Sequence, residues 1–261
     1  MTYEAAEVLS GPLEWRYGAG SNVGRVRNQN EDAYGADTPP GLFIVADGMG
    51  GHAAGEVASS LAVRSAVDGF AMLDDDVERD RALELMRDAI SNANQVILIE
   101  GEAHPEKSGM GTTTTALLLS SHGWWVIGHV GDSRAYLVRE GEATRLTEDH
   151  TYVQELVKQG RLSEEEARTH PRSSLLTRAL GTTDDVPIDV FSGELASGDR
   201  FVLASDGLMT MVREDRIHEL LQEPWGPEKL VDRLIAEANA CGGHDNTTAI
   251  VVDVMDRRDD K

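Results

Sequence analysis

The sequence predicts an α+β fold in which antiparallel sheets carry helices on their outer faces. Short apolar runs are bounded by Gly, Asp or Ser, and longer stretches repeat apolar residues every three or four positions. The two kinds of segment do not alternate along the chain, as they would in a doubly wound parallel sheet. At 261 residues, the chain can bury most of the surface that it exposes when unfolded, so it needs no cross-links to fold.

Six apolar runs have the length and composition of strands. Several of them carry apolar residues at successive positions, which is typical of strands that are covered on both faces. In chain order, the runs are 42–46, 112–119, 124–130, 135–138, 201–204 and 247–254.

Three longer stretches have the apolar spacing of amphipathic helices, two early in the chain and one late: 55–70, 79–100 and 228–240. Region 147–187 is more polar and contains two short helical patterns, the second of which opens with a capping box at Ser163. A polar insertion between strands is often a surface flap, and a solvated excursion without a role is the equal alternative.

The charge balance limits the classes of partner. Acidic residues outnumber basic ones by 46 to 24, which gives a formal net charge of −22 and excludes a general binder of nucleic acid or of anionic membranes. The single cysteine, Cys241, excludes an intramolecular disulfide and is expected to be a small buried apolar residue. The first residues lack the basic segment of a secretory signal, and the uncharged stretch 108–131 contains too many Thr and Gly residues for a membrane helix. We therefore expect a cytoplasmic protein.

Four aspartates lie at the ends of predicted strands. Asp47, Asp132 and Asp206 each follow an apolar run, and Asp245 comes just before one. In an antiparallel sheet the end of one strand lies beside the start of its neighbour, so the four carboxylates can gather at one rim. Two like charges about 4 Å apart repel by about 4 kcal/mol at an effective dielectric of about 20. A gathered cluster therefore favours a hard divalent ion, Mg²⁺ or Mn²⁺, although a simple turn is the alternative for any single Asp-Gly pair.

Two nearby segments add to this interpretation. Glycines 48, 50 and 51 follow Asp47 and allow a tight bend in which a carbonyl can face an ion. Arg27 lies among carboxylates, and in so acidic a chain its planar fork suits a phosphate group. A surface ion-pair loop is the alternative for that segment.

The motifs occur in the order of a known family. They are VRNQNED at 26–32, DGMGGH at 47–52, GMGTT at 109–113, GDSR at 131–134, SDGL at 205–208 and DNTT at 245–248. The sequence resembles the metal-dependent protein phosphatases, the type 2C serine/threonine phosphatases, and in particular their compact bacterial members. The resemblance extends from about residue 17 to residue 254.

This resemblance implies an architecture and a metal centre. The implied fold has four layers, α-β-β-α, with a central antiparallel β-sandwich flanked by helix pairs. It forms a single domain over 1–261, with a flap at about 147–187 that touches substrate. Two Mn²⁺ or Mg²⁺ ions occupy the implied core site, and a third, weaker ion lies beside them.

The resemblance also implies a role for each site residue. Asp47, Asp206 and Asp245 hold the first ion, and Asp47 and the Gly48 carbonyl hold the second. Glu31 and Asp32 act near the second ion, Asp132 helps to hold the third, and Arg27 binds the substrate phosphate.

The implied reaction is hydrolysis of phosphoserine and phosphothreonine on proteins by a water activated between two metal ions. The resemblance implies a monomer that reverses a serine/threonine protein kinase, with neither nucleic acid nor a membrane as a partner. Many eukaryotic members of the family carry a histidine, proposed as the general acid, where this chain has Met49, as many bacterial members do. The acid for the leaving group is thus unassigned, with His52 or a metal-bound water as candidates.

Three other functions compete with this interpretation. The first is a module of the same fold that binds phosphoproteins without turnover. The second is a serine hydrolase built on Ser133, whose surroundings fall one glycine short of a nucleophile elbow and predict a strand where the elbow needs a helix. The third is a calcium site at 74–76, which lacks the glycine and the terminal glutamate of an EF-hand loop.

Overall fold

Two antiparallel sheets stacked face to face form the centre of the protein. The computed structural model describes residues 11–38, 41–50, 54–71, 73–74 and 76–257. In that part of the chain, the first sheet has the order β1-β11-β10-β7-β8, and the second has the order β2-β3-β5-β6-β9 with a short strand, β4, also paired to β3. The strands are β1 Leu13–Asn22, β2 Asp32–Thr38, β3 Leu42–Met49, β4 Gly111–Thr112, β5 Thr114–Ser120, β6 Trp124–Val130, β7 Arg134–Arg139, β8 Glu142–Arg145, β9 Asp189–Glu194, β10 Arg200–Ala204 and β11 Thr247–Asp256.

Helices cover the outer face of each sheet. Helices α1 and α2 pack on the second sheet, and α5, α6 and α7 pack on the first. Two shorter helices, α3 and α4, lie in the insertion between β8 and β9. The helices are α1 Ala54–Phe70, α2 Arg79–Ala103, α3 Tyr152–Lys158, α4 Glu164–Arg168, α5 Asp206–Met211, α6 Glu214–Leu221 and α7 Pro227–Ala240.

Strand β3 shows how the sequence produces four layers. Leu42, Ile44 and Ala46 point toward the helices, while Phe43 and Val45 point into the space between the sheets. Successive side chains of a strand face opposite sides, so a strand covered on both faces must be apolar at every position. The consecutive apolar residues predicted such strands, and the α-β-β-α arrangement is confirmed.

The six strand predictions are confirmed, with one interruption. The run 112–119 divides into β4 and β5 at Thr113. The Thr113 hydroxyl accepts a hydrogen bond from the Asp47 backbone N–H at 3.0 Å, and the Thr113 N–H donates to the Asp47 carbonyl at 2.9 Å. A side chain thus replaces a backbone carbonyl at this step of the ladder and ends the regular strand there.

The helix predictions are also confirmed, with small shifts at the ends. Helix α2 continues to Ala103 and α7 begins at Pro227. The insertion contains the two short helices that its pattern indicated, and α4 begins with the predicted capping box between Ser163 and Glu166. Among the helices that the structure describes, none is both long and apolar enough to cross a membrane.

The expectation for the cysteine is wrong. Cys241 is exposed rather than buried, because it is the residue that ends helix α7 and lies beyond the helix's packed face. The last buried residue of that helix is Ala238.

The topology brings four strand ends to one rim of the sandwich. Asp47 lies near the end of β3, Asp206 follows β10, and Asp245 comes just before β11. Asp132 lies in the turn between β6 and β7. The rim is therefore built by both sheets, and it is where the described charged side chains of the candidate site meet.

Candidate active site

Asp47 and Asp206 form the centre of the cluster. Asp47 belongs to strand β3 of the second sheet, Asp206 follows strand β10 of the first, and the two carboxyl groups are close enough to shift each other's pKa. Burial raises the pKa of Asp47 well above its usual range, and the charges of Asp32, Asp206 and Asp132 raise it further. Burial also raises the pKa of Asp206, which a hydrogen bond with Asp47 partly offsets. Both shifts show that neighbouring negative charge and burial disfavour the fully ionised pair.

Asp32 lies directly across the β2–β3 ladder from Asp47. Its Oδ2 atom accepts hydrogen bonds from the Ser205 hydroxyl at 2.8 Å and the Thr248 hydroxyl at 2.6 Å. Its Oδ1 atom is buried and has no hydrogen-bond partner among the described residues. Burial raises the pKa of Asp32 to about 7, against the effect of the two hydroxyls. One carboxylate oxygen therefore remains available for an additional ligand.

Asp132 belongs to the same cluster. Burial raises its pKa well above the usual range, and the charges of Asp206 and Asp149 raise it further, while Arg134 acts in the opposite direction. These effects place Asp132 within electrostatic reach of the two central carboxyls, as the strand-end argument predicted.

Asp245 meets the cluster together with a cation. The Arg27 guanidinium donates to Asp245 Oδ2 at 2.8 Å, and its other terminal nitrogen lies 3.9 Å from Glu31 Oε2. The Arg27 side chain is 47% exposed, so the fork remains open to solvent on one side. Burial raises the pKa of Glu31, and the charge of Arg27 lowers it. The loop that carries Arg27 and Glu31 is therefore an ion-pair loop, which was the alternative interpretation of its sequence. It also lies against the acid cluster.

The two Asp-Gly pairs are not turns. Gly48 lies inside strand β3, and a Cβ atom there would come within 2.1 Å of the Gly55 carbonyl oxygen. Gly207 lies in helix α5, and a Cβ atom there would come within 1.8 Å of the Asn246 carbonyl oxygen. Glycine is needed at both positions because another backbone segment passes at close range. The turn interpretation is wrong for both pairs.

The residues present fit a hard divalent ion. The donor set consists of carboxylate oxygens with backbone carbonyls beside them, which is what Mg²⁺ and Mn²⁺ prefer. The unpartnered Oδ1 atom of Asp32 and the raised pKa values both indicate negative charge that lacks a counterion. Within the described ranges, no three His, Cys, Asp or Glu side chains are already arranged to enclose one ion. Asp32 instead accepts hydrogen bonds from the Ser205 and Thr248 hydroxyls, and Asp245 accepts one from Arg27.

Comparison with known proteins identifies the family. A model of protein phosphatase 2C matches residues 19–236. The chain belongs to the protein phosphatase 2C family. The serine/threonine protein phosphatase PstP of Mycobacterium tuberculosis (strain CDC 1551 / Oshkosh) is 44% identical over 244 residues, which are 94% of this chain and 46% of PstP. The chain thus spans about half the length of PstP.

One further relative and the solved catalytic domain of PstP match the chain along most of their own length. The serine/threonine phosphatase stp of Listeria monocytogenes serovar 1/2a is 39% identical over 234 residues, 88% of this chain and 92% of stp. A solved structure of the PstP catalytic domain in complex with two manganese ions has a TM-score of 0.82 at 42% identity. The match covers 94% of this chain and 100% of that one. The protein phosphatase 2C fold is therefore complete in the matched residues.

Sequence reasoning missed the residues that support the carboxylates. Asn246 accepts a hydrogen bond from the Glu31 N–H at 2.8 Å and donates to the carbonyls of Val23 and Gln29 at 3.0 and 2.9 Å, so it fixes the loop that carries Arg27. Asn246, like Ser205 and Thr248, stood within the quoted motifs beside an aspartate. That position was the signal which could have assigned them a supporting role.

Of the three remaining candidate groups, the structure describes Ser133 in full. His52, a candidate general acid, lies outside the described residues, as does Asp75 of the acidic triplet. Ser133 is fully buried and its hydroxyl lies 2.8 Å from the Thr113 hydroxyl. Strand β7 starts one residue later, at Arg134, so the strand–turn–helix of a serine hydrolase is not formed there.

Proposed function

We propose that this protein is a metal-dependent phosphatase that hydrolyses phosphoserine and phosphothreonine on proteins. The observation that carries the proposal is the juxtaposition of the Asp47 and Asp206 carboxyls with Arg27, which pairs with Asp245 at the same rim. The Arg27 guanidinium beside a site for divalent ions would complement the negative charge of a phosphate monoester. The names of the relatives point to the same class of reaction.

The aspartates supply the ligands for the proposed metal centre. Asp47, Asp206 and Asp245 would hold one ion, and Asp47 with the Gly48 carbonyl would hold a second. Asp32 and Glu31 would lie beside that second ion, and Asp132 would help to hold a third, weaker ion. When bound, Mn²⁺ or Mg²⁺ would supply positive charge that lowers the pKa of water and offsets charge on the phosphoryl oxygens.

Arg27 would bind the substrate phosphate. Its fork is half-exposed and already oriented toward the acid cluster by its hydrogen bond to Asp245. A guanidinium can bind two phosphate oxygens in parallel, which fixes the phosphoryl group as well as attracting it. Asn246 keeps this loop in place and would thereby limit the motion of Arg27.

The residue that protonates the leaving alkoxide is not assigned to a side chain. Met49 occupies the position of the proposed general-acid histidine of eukaryotic family members, and a thioether has no proton to donate. We therefore propose that solvent within the site delivers this proton.

The remaining parts of the proposal concern the cell. A phosphatase of this class would oppose a serine/threonine kinase, and its substrates would include phosphorylated proteins, among them the kinase itself. We propose that the chain acts in the cytoplasm as a monomer, with the 147–187 insertion as a flap that touches substrate. Neither nucleic acid nor a membrane is proposed as a partner, because the net charge is −22.

The test is hydrolysis of p-nitrophenyl phosphate and of a phosphothreonine peptide in EDTA, Mg²⁺ or Mn²⁺. We expect metal-dependent release of phosphate by the wild type and its loss in Asp206→Asn. The control is Asp232→Asn, which makes the same change at an exposed position of helix α7. If folded wild-type protein binds Mn²⁺ and still releases no phosphate, the phospho-binding module becomes the better explanation.

A further inference from the structure

A tight turn carries Asp132 into the acid cluster. Gly131 has φ +108°, in the region that favours glycine, and a Cβ atom there would lie 2.6 Å from the Thr113 side chain. The turn joins β6 to β7, so it has no ladder partner to hold it. The direction of the Asp132 carboxylate therefore depends on whatever fixes the Gly131 peptide groups.

His150 fixes Gly131 on both sides. The His150 backbone N–H donates to the Gly131 carbonyl at 2.7 Å, and the Gly131 N–H donates to His150 Nδ1 at 3.1 Å. A backbone N–H can only donate, so Nδ1 must be an acceptor and the proton of the neutral ring lies on Nε2. That Nε2–H donates to Asp189 Oδ2 at 3.1 Å, which fixes the tautomer.

The surroundings of His150 hold the ring in one orientation. Its side chain is 6% exposed, and its ring centroid lies 4.8 Å from that of buried His129. Asp189 is held in turn by the Arg178 guanidinium at 2.9 Å. The imidazole thus cannot turn away from Gly131 without breaking two hydrogen bonds and a packed contact.

The neighbouring residue holds the other end of the same turn. Asp149 accepts two hydrogen bonds from the Arg134 guanidinium, at 2.8 and 3.1 Å, and Arg134 follows Asp132 by two residues. The consecutive residues Asp149 and His150 therefore bracket the Asp132 turn from both sides. They also lie at the start of the 147–187 insertion.

After helix α4, the insertion returns to the same point. The Thr177 N–H donates to the His150 carbonyl at 2.8 Å, and Thr151 forms a β-bridge with Leu176. The part of the insertion that contains helices α3 and α4, residues 151–176, thus begins and ends beside the residue that holds the Asp132 turn. A displacement of the insertion would be transmitted to Asp132 through His150.

We propose that His150 is a positioning residue, which holds Asp132 in the geometry that binds the weakest cation and links that geometry to the flap. The inference rests on the proposed function for the role of Asp132 as a cation ligand. The contact between His150 and Gly131 is independent of that function. His150 touches neither substrate nor ion. Its effect is carried by the Gly131 peptide groups.

Two amide substitutions separate the two sides of the imidazole. In His150→Asn the amide oxygen takes the place of Nδ1 and can still accept from the Gly131 N–H. In His150→Gln the longer side chain places its amide near the Nε2 position, where it reaches Asp189 but not Gly131. The matched control is His104→Gln, at the half-exposed end of helix α2.

The first measurement uses the metal-free protein. Amide hydrogen exchange at Gly131, read by NMR, should stay slow in His150→Asn and become at least about 10-fold faster in His150→Gln. The second is Mn²⁺ binding by calorimetry, beside the Mn²⁺ dependence of phosphopeptide hydrolysis. Residues that orient metal ligands typically change affinity by about 10–100-fold, so the weakest Mn²⁺ step should weaken by about 10-fold in His150→Gln and by less than about 3-fold in His150→Asn.

The pattern of results decides the inference. Equal behaviour of the two variants, whether both resemble the wild type or both lose Mn²⁺ affinity along with thermal stability, would overturn it and leave His150 a structural residue. A wild type that binds Mn²⁺ without hydrolysing phosphopeptides would instead contradict the proposed function. The exchange and calorimetry data would still decide the role of His150.

Discussion

Replacing Asp32 with asparagine should stabilise the metal-free protein at high pH. The pKa of the Asp32 carboxyl is raised from 3.8 to about 7 in the folded protein, chiefly by burial. The folded state therefore holds this proton more tightly than the unfolded state does. The free energy of unfolding that this tighter proton binding contributes is fully present below pH 3.8. It declines as the pH rises and is lost above about 7.

The size of the effect follows from linkage. A pKa that rises from 3.8 to about 7 corresponds to about 4 kcal/mol of lost stability at pH 8 and under about 2 kcal/mol at pH 5. In Asp32→Asn, the amide oxygen can still accept from the Ser205 and Thr248 hydroxyls, which now bond to Oδ2. The variant thus removes the buried charge while it keeps the hydrogen bonds.

The assay is thermal unfolding in EDTA at pH 5 and pH 8. For a chain of this size, about 4 kcal/mol corresponds to a rise in Tm on the order of 10 °C at pH 8, with a smaller rise at pH 5. Asp232→Asn, at an exposed position, should change Tm little at either pH. Saturating Mn²⁺ should stabilise the wild type more than the variant, because the ion binds the folded state. A variant that is less stable than the wild type at pH 8, or equally stabilised at both pH values, would refute the reasoning.

Three further changes test other parts of the structure. Arg27→Ala should raise KM for a phosphothreonine peptide by about 10- to 100-fold, the equivalent of a hydrogen bond to a charged group, with a smaller effect on kcat; an unchanged KM in steady-state kinetics removes Arg27 from the phosphate role. Gly48→Ala should lower the free energy of unfolding by at least about 3 kcal/mol in urea titrations, since its Cβ would meet the Gly55 carbonyl at 2.1 Å, whereas Gly101→Ala in helix α2 should be neutral or stabilising. Ser133→Ala should cost about 1 kcal/mol of stability and keep kcat within about 3-fold, while a serine hydrolase would lose its activity.

The central strands could be predicted from the sequence, and the edge strands could not. β1, β2, β8 and β9 lie at the four edges of the two sheets, and none of them was among the predicted runs. An edge strand is covered less completely, so its sequence mixes polar residues and glycines, as LEWRYGAGSN in β1 does. A run of apolar residues reflects how completely neighbouring layers cover a strand. The pattern is therefore weak in an edge strand, which is covered only in part.

The acids of the site could be predicted because each follows or precedes a strong strand. The strand-end argument placed Asp47, Asp132, Asp206 and Asp245 at one rim, and the structure brings them there. Asp32 was assigned by resemblance alone, because it opens an edge strand that the pattern did not reveal. The hydrogen bonds that join His150 to Gly131 and Asp149 to Arg134 depend on tertiary contacts between distant segments, so no local pattern could have indicated them.

The stability of the fold and the chemistry of the site come from different parts of the same strands. Three apolar clusters between the layers hold the sandwich together, and each fully buried Leu, Ile, Val or Phe side chain contributes about 1.5–3 kcal/mol. The acid cluster opposes folding, as the raised pKa values of Asp32, Asp47 and Asp206 indicate. Because the carboxyls lie at the ends of the strands, they do not interrupt the apolar contacts along them. The free energy gained from those contacts offsets the repulsion among the carboxyls. An ion bound at the rim would then remove repulsion that the folded protein already bears, so ion affinity and metal-free instability should rise together with pH.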